Sequence, residues 1–194
     1  MKYTIRGSLP LISNDYVGDV LRARGIEDVE TYKKPTKENL YDPYLLSNVE
    51  AGVNLLSRHI ARGSKIYQIV DSDADGYTSG AVFYNYIKEF SPDTEIVYEV
   101  HKGKQHGVIP RNVPEDCELV VVIDAGSNQL EEFRELKEKG HDILVIDHHH
   151  LEDEEIHNYA TIVNNQIGDY PNRYLSGAGV LYKFFQVFDQ HYVP

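Results

Sequence analysis

The chain has 194 residues, 41% hydrophobic and 26% charged, and a formal net charge of −12. That length accommodates one domain with a sizeable core, and no stretch approaches the apolar run that a membrane span or signal peptide needs. The acidic balance argues against a broad nucleic-acid face, which normally requires clustered Lys and Arg, and the lone Cys117 excludes an internal disulfide and fits a reducing cytoplasm.

Residues 1–45 read as an accessory lead-in, with a short amphipathic helix around Asn14 to Arg24, stopped by Gly25, and a loop from Pro35 to Pro43. The spacing of Val49, Val53, Leu56 and Ile60 predicts a helix over Ser47 to Arg62, ended by Gly63. Strands and helices then alternate. The pattern predicts a strand at 66–70, a helix from about Thr78 to Phe90, a strand at 95–100 and a polar loop at 101–116. It continues with a strand at 119–123, a helix from Asn128 to Lys139 and a strand at 142–147. A short strand at 161–163 and a closing helix from Gly177 to Gln190 complete it. Such alternation implies βαβ units, hence an α/β fold with a mostly parallel sheet and helices on both faces.

Three of these strands run into chemistry-bearing residues at their C-terminal ends. Ile66–Val70 leads into Asp71, Asp73, Asp75 and Gly76; Leu119–Ile123 leads into Asp124; Ile143–Ile146 leads into Asp147, His148, His149 and His150. Open α/β sheets carry their sites at that edge. Carboxylates and imidazoles converging there suit one or two divalent ions of the Mn²⁺ or Mg²⁺ kind. The first turn is not an EF-hand, because an apolar strand precedes it and the required Glu position is Val82. Thr78 and Ser79 stand at the start of the next helix, where hydroxyls and free N–H groups suit a phosphate; the bland alternative is a solvated acidic turn with Thr78 as N-cap. Asp124 alone could equally be a turn residue. The stretch His101 to Gly107, with Lys102, Lys104 and His106, is the one concentrated basic segment, and reads either as a phosphate-backbone contact or as a plain loop.

In order along residues 41–190, the chain resembles the DHH phosphoesterase superfamily, most closely the N-terminal catalytic domain of RecJ-type single-strand-specific exonucleases. Val70 to Ser79 resembles the motif DYDxDGxTS, Val122 to Gly126 the second motif, and Asp147-His148-His149 the motif that names the family. Ile162 to Gln166, Tyr170-Pro171 and Leu175 to Val180 resemble its NP…YP…LSGAGVA stretch. Gln105 to Val108 is a looser counterpart of EGYGL, and Ile69 stands where some DHH families place a His.

The resemblance implies a Rossmann-like DHH domain over residues 46–194 and two Mn²⁺ (or Mg²⁺) ions held by Asp71, Asp73, Asp124 and His148, with Asp124 bridging. It implies supporting or phosphate-touching roles for Asp75 and His149, an orienting role for Asp147, and substrate contacts at Thr78, Ser79, Lys104, His106, His149, Ser176 and Gly177. The family's last catalytic Asp, its associated C-terminal domain and the oligonucleotide-binding fold would lie past Pro194, so a further domain or protein partner is expected to complete the site; Asp189 is a poor substitute. The implied activity is a Mn²⁺-dependent, 5′-to-3′ single-stranded-DNA exonuclease of repair, recombination or replication. The alternatives are a DHH phosphoesterase on short oligonucleotides, nucleotides or pyrophosphate, and a catalytically silent module that binds a replication or repair protein.

Overall fold

The computed structural model describes residues 15–101, 103 and 106–192. The chain divides between Tyr41 and Asp42 into two compact units. In the first, α1 (Tyr16–Ala23) begins at Asp15, whose carboxylate accepts the Gly18 N–H, and the five-residue α2 (Val29–Lys33) is capped by Asp28 in the same way. Nothing in the sequence pattern marks α2, which is too short for a periodicity to emerge.

The second unit holds α3 (Val49–Arg62), β1 (Ile66–Val70), α4 (Ala74–Phe90) and β2 (Ile96–Val100), then β3 (Leu119–Ile123) and α5 (Leu130–Glu138). It closes with β4 (Asp142–Asp147), β5 (Thr161–Asn164) and α6 (Gly177–Tyr192). The helix α4 starts four residues before the expected Thr78, because Asp73 rather than Thr78 is its N-cap and accepts the Gly76 N–H at 2.9 Å.

All five strands are parallel, in the order β2-β1-β3-β4-β5. The crossover β1-α4-β2 runs one way along the sheet and β3-α5-β4 the other, so right-handed connections must place α4 and α5 on opposite faces. The core obeys this. Ile66, Val121, Ile123, Leu144, Ile146 and Val163 pack with α3, α4 and α6. Their neighbours Tyr67, Ile69, Val120, Val122, Val145 and Ile162 pack with α5. Each such fully buried side chain stabilises the fold by about 1.5–3 kcal/mol, and burial on both faces is why β3 and the body of β4 read as unbroken apolar runs and β1 as one interrupted only by Gln68. Strand β2, at the edge, is only half-buried. Cys117 lies buried in the second cluster, where burial pushes its thiol up to about 11, so it is an inert core residue. Among the described residues no helix is long and apolar enough to cross a membrane.

Candidate metal centre

The strand order reverses between β1 and β3, and in sheets of order 2-1-3-4-5 the site lies at that switch point, outside the carboxyl ends of the strands. Register makes the placement sharper. Val70 is level with Ile123, and Ile123 with Ile146. The next residue on each strand is therefore Asp71, Asp124 and Asp147, a row of three acids across adjacent strand ends.

Asp124 leaves this row through a left-handed backbone, φ 62°, which is uncommon for a residue with a side chain and clusters at functional sites. Its carboxyl group is buried and is pushed up to about 8, first by burial and then by repulsion from Asp75, Asp73 and Asp147. His148 Nε2 comes within 3.1 Å of Asp124 Oδ1, but not in hydrogen-bond geometry, and that buried oxygen has no donor. A divalent cation would satisfy the orphaned oxygen and relieve the repulsion. Two groups of ligand atoms fit one. Asp71, Asp73 and Asp124 bring oxygens within 4.8 Å of one another, and Asp124, Asp147, His148 and His149 do the same. Asp124 belongs to both.

Asp71 is buried and held through both oxygens. The Ser72 N–H donates to Oδ1 at 2.8 Å, His101 Nδ1 lies 3.2 Å from Oδ1, and His106 Nδ1 lies 2.9 Å from Oδ2. Gly76 permits the tight turn beside it, since a Cβ there would sit 2.6 Å from Asp71 Cβ. Asp73 lies below the usual carboxylate range, chiefly because the Gly76 N–H donates to it. Asp75 belongs to neither ligand group: its oxygens accept the N–H groups of Gly177 at 2.6 Å and Ala178 at 3.0 Å, the first turn of α6, while Oδ2 stays 3.8 Å from His148 Nε2.

Asp147 is fully buried with four donors around it. Oδ1 accepts from the backbone of His148 at 2.7 Å, and of His149 at 3.2 Å, and lies 2.7 Å from His149 Nδ1; Oδ2 accepts the Ser127 N–H at 3.1 Å. Burial alone would raise this carboxyl group, but the bonds from His149 and Ser127 outweigh it and hold it below the usual range. Its partner His149 is pushed up to about 9, mainly by that same bond. Asn164, at the end of β5, braces the segment by donating to Ser127 Oγ and to the His149 carbonyl. A cleft of about 240 Å³ adjoins, lined by His106, Gly126, Ser127, Gln129, Asp147 and His149.

The expected ligands Asp71, Asp73, Asp124 and His148 thus come together, and half-exposed His149 and exposed His106 stand at their margin. Several expected substrate contacts do not. Ser79 is fully buried and its hydroxyl donates to the Asp75 and Gly76 carbonyls, so it cannot face a substrate. The Thr78 hydroxyl likewise donates back to the Ala74 and Asp75 carbonyls, because α4 starts too early for either residue to stand at its free N-terminus. The Gly177 N–H is engaged by Asp75, and Ser176 Oγ accepts the Gly179 N–H as the cap of α6. Lys104 lies outside the described residues. Asp189, on α6, is hydrogen-bonded to Tyr86 of α4 rather than placed among the strand-end acids. His101 was legible only as part of a basic loop; its position in register beyond Val100, level with Asp71, is what makes it part of the site.

Known proteins are similar to this chain. The SPbeta prophage protein YorK of Bacillus subtilis (strain 168), provisionally named a single-strand DNA-specific exonuclease, is 39% identical over 195 residues, covering 98% of this chain and 33% of its own length. The single-stranded-DNA-specific exonuclease RecJ of Haemophilus influenzae is 31% identical over 179 residues, covering 88% of this chain and 31% of its own. The chain therefore spans about a third of the length of these curated relatives. A crystal structure of exonuclease RecJ bound to manganese has the same fold, with a TM-score of 0.66 and 20% identity over 75% of this chain and 38% of that one. Residues 65–193, which carry all five strands and every acidic strand end, match the family model "DHH family, N-terminal domain", and the chain belongs to the DHH family.

Proposed function

We propose that this chain is the phosphodiesterase lobe of a RecJ-like exonuclease that trims single-stranded DNA from the 5′ end, in repair, recombination or replication, using two Mn²⁺ or Mg²⁺ ions. The observation that carries this reading is Asp124, a buried carboxyl group that belongs to both ligand groups and has an oxygen that no hydrogen bond satisfies. Asp71, Asp73, Asp124 and His148 would hold the ions, with Asp124 the member common to both ligand groups. When bound, the ions supply Lewis acidity that activates water and neutralises charge developing on the phosphoryl oxygens.

The chain's own groups do the rest. Asp147 holds His149 through Nδ1, which keeps the imidazole protonated and leaves Nε2 for a phosphate oxygen. His101 and His106 fix both oxygens of Asp71. The cap that Asp75 places on α6 anchors Gly177 against Asp124, where a Cβ would lie 2.4 Å from Oδ1. Residues 46–194 are the proposed phosphoesterase domain.

Mn²⁺ titration calorimetry on the 194-residue chain, followed by a 5′-labelled single-stranded oligonucleotide, tests the reading. Metal binding with release of the label as a mononucleotide in the first turnover is the expected result. Absence of Mn²⁺ binding overturns it. Cleavage confined to di- and trinucleotides would instead favour a phosphoesterase of short oligonucleotides, a second reading that the net charge of −12 supports.

A further inference from the structure

A second cavity, of about 290 Å³, lies on the α4 side of the sheet, between that helix and the edge strand β2. Its size is near the lower end for small-molecule pockets. The residues that α4 turns toward it, Tyr77, Gly80 and Tyr84, recur at helical spacing, and Tyr98 and Val100 of β2 recur at strand spacing. Gly80 lets helix and sheet meet at the floor, where a Cβ would lie 3.0 Å from the Val70 methyls and 3.3 Å from Gln68 Nε2.

Two features define what this groove accepts. Its walls are aromatic: Tyr84 and Tyr98 meet edge to face at 5.9 Å, while Tyr77 and Tyr98 stay 49% and 59% exposed. No lining side chain is charged, in a chain of net charge −12. The buried Gln68 closes the floor, donating through Nε2 to the Gly80 carbonyl at 2.8 Å, with Oε1 shut away from solvent. A flat, uncharged ring has the matching chemistry. The groove also adjoins the acidic edge. Val70 and Val100 directly precede Asp71 and His101, and Tyr77 follows Gly76 in the first turn of α4.

We propose that this groove is a nucleobase subsite, in which Tyr77 and Tyr98 flank one base of the strand whose phosphate lies at the acidic edge. Aromatic side chains that stack on bases are the usual grip on single strands, and they are tolerant of sequence. The inference rests on the phosphodiesterase reading above, and it extends that reading away from the metal centre.

Deoxyadenosine is the probe, offered without metal to the whole chain and followed by saturation-transfer NMR. Saturation should reach the base protons, and the Kd should rise roughly tenfold in Tyr98→Ala and recover in Tyr98→Phe. Tyr98 is exposed enough for both variants to fold. Asp124→Asn should bind deoxyadenosine like the parent chain, because the groove uses none of the acidic edge. Absence of transfer, indifference to Tyr98→Ala, or loss in Asp124→Asn would each overturn the subsite. Nucleoside binding without any Mn²⁺ binding would overturn the phosphodiesterase reading and leave the groove standing as a base site.

Discussion

Asp75 and Gly177 are 102 residues apart, yet the carboxylate of the first caps the helix that begins at the second, with Oδ2 accepting the Gly177 N–H at 2.6 Å. The bond ties the first acidic turn to α6 and seats Gly177 against Asp124. Asp75→Ala should therefore lower stability by about 1 kcal/mol, the usual cost of a lost N-cap, and should also weaken Mn²⁺ binding by loosening the wall behind Asp124. Thermal melts of the metal-free protein and calorimetry would measure the two effects; unchanged Mn²⁺ affinity would reduce Asp75 to a helix cap alone.

Asp124→Asn separates stability from metal binding. The buried carboxyl group already suffers from burial and three neighbouring acids, so the neutral amide should leave the metal-free Tm at pH 8 equal or higher. Mn²⁺ stoichiometry should collapse, because both ligand groups lose their shared member. Near-normal stoichiometry would sink the bridging role.

The same two shifts set a pH dependence. Asp124 holds its proton in the folded state up to about pH 8, whereas the unfolded chain releases it near 4. His149 holds its proton up to about pH 9, against roughly 6.5 unfolded. In both cases the folded state binds more protons across the interval, so stability falls as pH rises. The Tm of the metal-free protein should decline from pH 5 to pH 9, and the part due to Asp124 should vanish in Asp124→Asn. A Tm that rises over this range would contradict the burial of that carboxylate.

His101 is a positioning residue for Asp71. Its ring is fully buried, with Nδ1 3.2 Å from Asp71 Oδ1 and Nε2 unpartnered, and it belongs to neither ligand group. His101→Phe keeps most of the volume and removes the polar contact. Mn²⁺ affinity should fall tenfold or more, as for other groups that orient a ligand, while the far-UV spectrum is retained. Mn²⁺ binding indistinguishable from the parent would show that Asp71 needs no such support.

Local patterns in the sequence determine where the strands lie and what ends them. Unbroken apolar runs such as Leu119–Ile123 are legible because both faces of the sheet are covered, and Asp71, Asp124 and Asp147 are legible as the first polar residues after such runs. The alternation of strands and helices likewise determines the parallel α/β class. Partners brought together by non-local packing were decided only by the tertiary structure. Strand order and register align the three acids in one row, and the left-handed turn at Asp124 carries its side chain out of strand alternation. The early start of α4 turns Thr78 and Ser79 back onto their own helix, while α6 takes Asp75 as its cap. His101 gains its place beside Asp71 from the β1–β2 pairing. A sequence pattern reports the period of one element; a hydrogen bond between elements depends on where both end and how they pack, and that information is distributed over the whole chain.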